Sequence, residues 1–252
     1  MGFFGILLMV IATLIGIYLI FVSGWGLIPL IVYGILAGWF YTSEGRKFSF
    51  INWAPGIAEL LIATTYGVFM TMGAYFVLTG SYSLQAFLIS LPVAFFISNV
   101  LLINQFPDAD SDAKTGKNTL VVRIGKRSAT MVLIGCFLIG YIIIAILPLI
   151  DYAPYSIYYS FLSIPFAFQA IRYAWSNYDK NAADMIPSNA HTAINHLFNG
   201  LLLVFAFLLE ELTLAIPLIF LAASLLLVFW VWNYIERQRR VMNDFRNAFK
   251  SK

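Results

Sequence analysis

Three oxygen-bearing side chains, Asn104, Asp108 and Asp112, recur at intervals of four in the polar stretch 104–126, NQFPDADSDAKTGKNTLVVRIGK, which interrupts long apolar segments. If the preceding helix continues through them, positions i, i+4 and i+8 stack along one side, with Asp110 on the flank. Convergent carboxylates suit a hard divalent cation. Mg²⁺ takes one or two of them, keeps several waters and completes its shell with phosphate oxygens. Lys114, Lys117 and Arg123 follow directly and place positive charge where outer phosphate oxygens would lie. Gly116 and Lys117 break the helix at a point where a phosphate can approach the backbone closely. On residue types alone two readings stand side by side. One is a diphosphate site held through Mg²⁺ by Asp108 and Asp112; the other is a solvated connector between two membrane helices.

The elements that must position these groups are membrane helices. Of the 252 residues, 61% are hydrophobic and 11% charged, with a mean hydropathy of +0.85. An ordinary soluble domain is about 45–50% apolar. A hydrocarbon core of about 30 Å needs roughly 20 residues of helix. Eight apolar runs approach that length, over 3–22, 25–41, 56–79, 83–103, 128–149, 154–175, 193–209 and 213–234. None alternates apolar with polar residues as a membrane β-strand must. The expected fold is therefore all-α, a polytopic transmembrane bundle of about eight spans, with one membrane domain over 1–235 and a basic tail over 236–252. Residues 1–21 lack the basic leader and small-residue cleavage site of a signal peptide, so the first helix is expected to be retained.

The basic residues partition by connection. Arg46 and Lys47 lie in the second, Lys114 to Arg127 in the fourth, Arg172 and Lys180 by the sixth, and the rest between Arg237 and Lys252. All fifteen fall on one side, which the positive-inside rule makes cytoplasmic. Both termini and the 104–126 stretch are expected there, in a bacterial or archaeal plasma membrane. The tail's cations are drawn to anionic lipid headgroups, so the net charge of +3 does not call for nucleic acid. Cys136 is the single cysteine, which excludes a disulfide framework and a cysteine metal site. His191 and His196, near Asn189, are five residues apart and do not form the i, i+4 pair of a helical metal site. Glu210 and Glu211 mark the opposite membrane boundary.

The 104–126 stretch resembles the second aspartate-rich motif of the UbiA superfamily of intramembrane prenyltransferases, N/D-x-x-x-D-x-x-x-D followed by x-x-x-G-K-x-T-L. Asn104, Asp108, Asp112, Gly116, Lys117, Thr119 and Leu120 match it in order. A looser likeness covers 41–67, where Tyr41, Thr42, Lys47, Gly56, Glu59, Tyr66 and Gly67 stand in the places of a second family segment. That segment is nearest to the branch that prenylates 1,4-dihydroxy-2-naphthoate in menaquinone synthesis. The resemblance implies a UbiA-like bundle that transfers a polyprenyl group from a prenyl diphosphate to an aromatic acceptor. It implies Asp108 and Asp112 as Mg²⁺ ligands, these two and Lys117 as catalytic residues, and Asn104, Tyr41, Arg46, Lys47, Glu59, Tyr66 and Arg123 as substrate-binding residues. Membrane lipid is the remaining partner. Tyr66 and Phe106 are candidate walls for a carbocation, which aromatic faces stabilise.

Family members usually carry two further helices upstream, followed by a first motif of the form N-D-x-x-D-x-x-x-D. This sequence contains no such motif. The resemblance therefore implies that its first helix corresponds to the family's third and that it carries half of the Mg²⁺ clamp. Two alternatives follow: a catalytically incomplete member that binds prenyl lipid, and a small-solute transporter with Asp108 and Asp112 on a cation path.

Overall fold

The computed structural model describes residues 2–41, 49 and 52–250, and every regular element among them is helical. Helix α1 is Gly2–Ser23, α2 is Ile28–Phe40 and α3 is Ile57–Thr79. The long α4, Leu84–Thr115, is followed by the short α5, Leu120–Ile124, and by α6, Lys126–Ile146. A 3₁₀ segment, Tyr155–Ser163, leads into α7, Ile164–Asn177; then come α8, Ile186–Glu211, and α9, Ala215–Lys250.

Helical segments occupy all eight expected runs, but among the described residues six rather than eight meet the length and apolarity of a crossing helix. They are Phe3–Ser23, Ile57–Thr79, Leu84–Thr115, Lys126–Ile150, Ala182–Glu211 and Ala215–Gln238. Trp25–Phe40 is apolar but short, about 24 Å at the helical rise per residue. The run 154–175 is divided between the 3₁₀ segment and the 14-residue α7. A uniform count from hydropathy does not see that division. The tail expected from 236 continues α9 as far as Lys250.

Helix α4 is the axis of the bundle. Ser83 caps its start by accepting the Ala86 N–H at 3.3 Å, and it packs against α3, α5, α6 and α8. Its buried side, including Phe96, Leu102, Ile103 and Phe106, meets Leu133 and Phe137 of α6. Lipid tails are as apolar as these side chains, so helix association rests on close packing and buried hydrogen bonds. Both are present. Asn99, fully buried, donates to the Leu133 carbonyl at 3.0 Å. Gly67, in a π-helical segment of α3, Ala63–Phe69, sits directly against the Ala94 backbone of α4. Tyr141 of α6 reaches Ser163 at 2.7 Å and Asn195 of α8 at 2.6 Å. These contacts hold α3 and α6 against the helix that carries the aspartates and join α6 to α8.

Candidate functional site

The helix does continue through the polar stretch. Helix α4 runs past Pro107 to Thr115 and stops at Gly116, whose φ of 72° is left-handed, a conformation glycine adopts without a Cβ penalty. The Lys117 N–H then closes on the Asp112 carbonyl at 2.9 Å. This turn folds the lysine back over the last helical turn, with Nζ 3.4 Å from Asp112 Oδ1.

The expected single face is twisted. Four residues are more than one turn, so each step from Asn104 to Asp108 to Asp112 rotates by about 40° around the helix. Asn104 and Asp108 are exposed, whereas Asp112 is buried at 8% exposure. Asp112 Oδ2 has no hydrogen-bond partner among the described residues. An unpartnered buried carboxylate oxygen beside a second carboxylate one turn away fits the needs of Mg²⁺, which takes few protein ligands when phosphate supplies the others. Among the described residues no group of three or more His, Cys, Asp or Glu side chains converges, so two carboxylates are what this site offers. Asp110 stands apart, exposed, with its carboxylate 4.0 Å from Lys126 Nζ.

A second group approaches α4 from α2 and α3. Glu59, in the first turn of α3, is 7% exposed and accepts from Gln105 Nε2 at 2.5 Å. Tyr41 follows the end of α2, half-buried; burial first, then the charges of Glu59 and Tyr66, push its hydroxyl up to about 12. Tyr66 is 56% exposed and lines an apolar cavity of about 700 Å³ bounded by residues of α1, α2 and α3. Arg46, Lys47 and Thr42 lie outside the described residues.

Arg123 has a structural use in the same place. Its Nε donates to the Asn118 carbonyl at 2.9 Å and one Nη to the Asn52 carbonyl at 2.6 Å, while Asn52 Oδ1 accepts the Asn118 N–H at 2.9 Å. The segment before α3 is thereby latched to the loop after the aspartates. Sequence reasoning missed Asn52 and Gln105, whose importance lies in contacts across the bundle. It noted Asn189 without a role; the structure has its Nδ2 donate to Asn104 Oδ1 at 2.8 Å, joining α8 to the aspartate helix. A polar residue one position from Asn104 on a membrane helix was the available signal for Gln105.

Comparison with known proteins gives a consistent picture. The UbiA prenyltransferase family matches residues 1–191. The chain is 28% identical over 200 residues to a 1,4-dihydroxy-2-naphthoate octaprenyltransferase of Bacillus subtilis, covering 79% of this chain and 62% of that protein. It is 26% identical over 180 residues to a 2-carboxy-1,4-naphthoquinone phytyltransferase of Synechocystis, covering 71% and 57%. To the UbiA prenyltransferase domain-containing protein 1 of Homo sapiens it is 27% identical over 182 residues, covering 72% and 50%. The chain thus spans about half to three-fifths of the length of these relatives. No solved structure matches it.

Proposed function

Because the chain belongs to the UbiA prenyltransferase family, we propose that it transfers a polyprenyl group from a prenyl diphosphate to an aromatic acceptor of the 1,4-dihydroxy-2-naphthoate class. The observation that carries this reading is the end of α4, where Asp108 and Asp112 lie in the last two turns and Lys117 folds back 3.4 Å from Asp112. Acidic and basic groups together at a helix end serve a metal-bridged diphosphate better than a bare cation path, which transporters place near the bilayer midplane. Mg²⁺ held by Asp108 and Asp112 would neutralise charge on the departing diphosphate. Lys117 shares that task as a point charge on the outer oxygens. The apolar cavity beside Tyr66 offers a wall for the prenyl chain, and the surrounding helices keep water from the reacting carbon. The site faces the cytoplasm on the positive-inside rule.

The reading is tested by binding geranylgeranyl diphosphate to the detergent-solubilised full chain. Saturable binding that Mg²⁺ supports and a chelator abolishes is expected; binding indifferent to both would contradict the assignment.

The latch makes a separate prediction. Charge-assisted hydrogen bonds are each worth about 1.5–3 kcal/mol, and Arg123→Ala removes two that hold Asn52 and Asn118. The detergent-solubilised variant is expected to melt at a lower temperature than the wild type, with donor affinity changed less than threefold. A large loss of donor affinity at an unchanged melting temperature would instead place Arg123 on the phosphate.

A further inference from the structure

The 3₁₀ segment Tyr155–Ser163 lies at the membrane boundary away from the aspartates, since α6 leaves the polar stretch at Lys126 and runs 21 residues to Ile146, about 30 Å of helix. The segment is tied in place from both sides. Ser156 Oγ donates to the Ala206 carbonyl of α8 at 3.0 Å, and the Tyr158 hydroxyl donates to the Ala145 carbonyl of α6 at 3.0 Å. In a 3₁₀ helix side chains three apart eclipse, so Tyr155, Tyr158 and Phe161 form one column. Their ring centroids are 5.9 Å apart at 69° for the first pair and 5.6 Å apart at 17° for the second. Tyr159, on the next column, packs against Phe205 of α8 at 5.4 Å. A cavity of about 570 Å³ is lined by both columns and, from the last turn of α8, by Leu209 and Glu210.

Aromatic rings at a membrane boundary are common, but a carboxylate set among them calls for a cation, and the neighbouring chain supplies none. Lys and Arg are absent from 128–171 and from 181–236, and Glu210 makes no ion pair among the described residues. We propose that this cavity holds the ammonium headgroup of a membrane lipid of the phosphatidylethanolamine class, with the cation against the rings of Tyr155, Tyr158 and Tyr159 and an N–H donating to Glu210. Ring faces attract a cation within about 6 Å of the centroid. A primary ammonium carries three N–H donors, and the exposed hydroxyls of Tyr155 and Tyr159 and the Glu210 carboxylate are acceptors for them. A quaternary ammonium would leave all three unused. The source is a lipid because the cavity stands at the membrane boundary and includes the apolar side chains of Leu162 and Leu209, against which an acyl chain packs. A headgroup that is only anionic meets Glu210 without any compensating cation.

The test measures binding of radiolabelled phosphatidylethanolamine to the detergent-solubilised full chain in mixed micelles, with unlabelled competitors of the same acyl chains. Phosphatidylglycerol is expected to displace the label at least about tenfold more weakly than phosphatidylethanolamine, the scale of a hydrogen bond to a charged group; equal displacement by the two overturns the proposal. Phosphatidylcholine keeps the cation without its N–H donors and should also compete less well; equal competition would refute the donation to Glu210. Displacement by free ethanolamine at the concentrations at which the lipid acts would make this a site for a soluble amine and overturn the lipid assignment. Glu210→Gln should lower affinity by about tenfold and Tyr159→Leu by about three- to tenfold. Glu211→Gln, one residue beyond the cavity lining, should bind as the wild type does. Melting temperatures without added lipid show that each variant has folded. A folded Glu210→Gln chain with wild-type affinity, or an equal loss in Glu211→Gln, would overturn the proposal.

Discussion

Asp112→Asn is expected to abolish Mg²⁺-dependent binding of the prenyl diphosphate and to reduce transfer by at least about 10³-fold. The size follows from what the residue does. Metal coordination at a phosphoryl oxygen is worth several kcal/mol of charge stabilisation, and about 4 kcal/mol corresponds to three powers of ten in rate. Asp112 is the buried member of the pair, with one oxygen near Lys117 and the other without a partner among the described residues. The amide keeps its size but loses the charge that both the lysine and a cation require. Asp108→Asn should be comparably severe because, among the described residues, no third carboxylate joins this pair. Glu211→Ala removes an exposed acid at the far end of α8 and should leave binding unchanged. Donor titrations on the three variants make the check; equal losses in all three would show misfolding and remove the site assignment.

The second large effect is on the scaffold. Gly67→Ala is expected to lower the thermal stability of the detergent-solubilised chain and to reduce transfer with it. A Cβ at this position would stand 2.4 Å from Ala94 Cα and 2.7 Å from its nitrogen. The obstacle is backbone, so no rotamer change relieves it. Overpacking typically costs about 1–3 kcal/mol, and here it also pushes α3, with Glu59 and Tyr66, away from the aspartate helix. Gly135→Ala on α6 is the control, since a Cβ there meets nothing within 4 Å and alanine favours a helix by about 1 kcal/mol. Equal melting temperatures for the wild type and Gly67→Ala would mean that the contact of α3 with α4 is not as close as described.

Much of the fold, and the helix that carries the candidate site, is legible in the sequence because the strongest signals are local. Apolar runs announce helices, and the four-residue spacing of Asn104, Asp108 and Asp112 marks one flank of a helix without reference to any tertiary contact. The continuation of α4 to Thr115 and its stop at Gly116 agree with that reading. Rotation and depth are not local properties. The drift of a 3.6-residue helix over eight positions leaves Asn104 and Asp108 exposed and Asp112 buried. Hydropathy likewise marks 25–41 and 154–175 as spans without showing that one is short and the other begins as a 3₁₀ helix. Partners distant in sequence are equally hidden. Gln105 meets Glu59, Arg123 meets Asn52 and Asn189 meets Asn104 only once the bundle is assembled. Their residue types are ordinary; their pairing carries the information.

Prenyl transfer itself is addressed most directly by one assay. Membranes containing the full chain are given radiolabelled geranylgeranyl diphosphate and 1,4-dihydroxy-2-naphthoate, with Mg²⁺ or with excess chelator. A prenylated naphthoquinol that forms with Mg²⁺, disappears with chelator and is lost in Asp112→Asn is the predicted result. Absence of product from the wild-type chain, or product that forms regardless of chelator and of Asp112, would contradict the account.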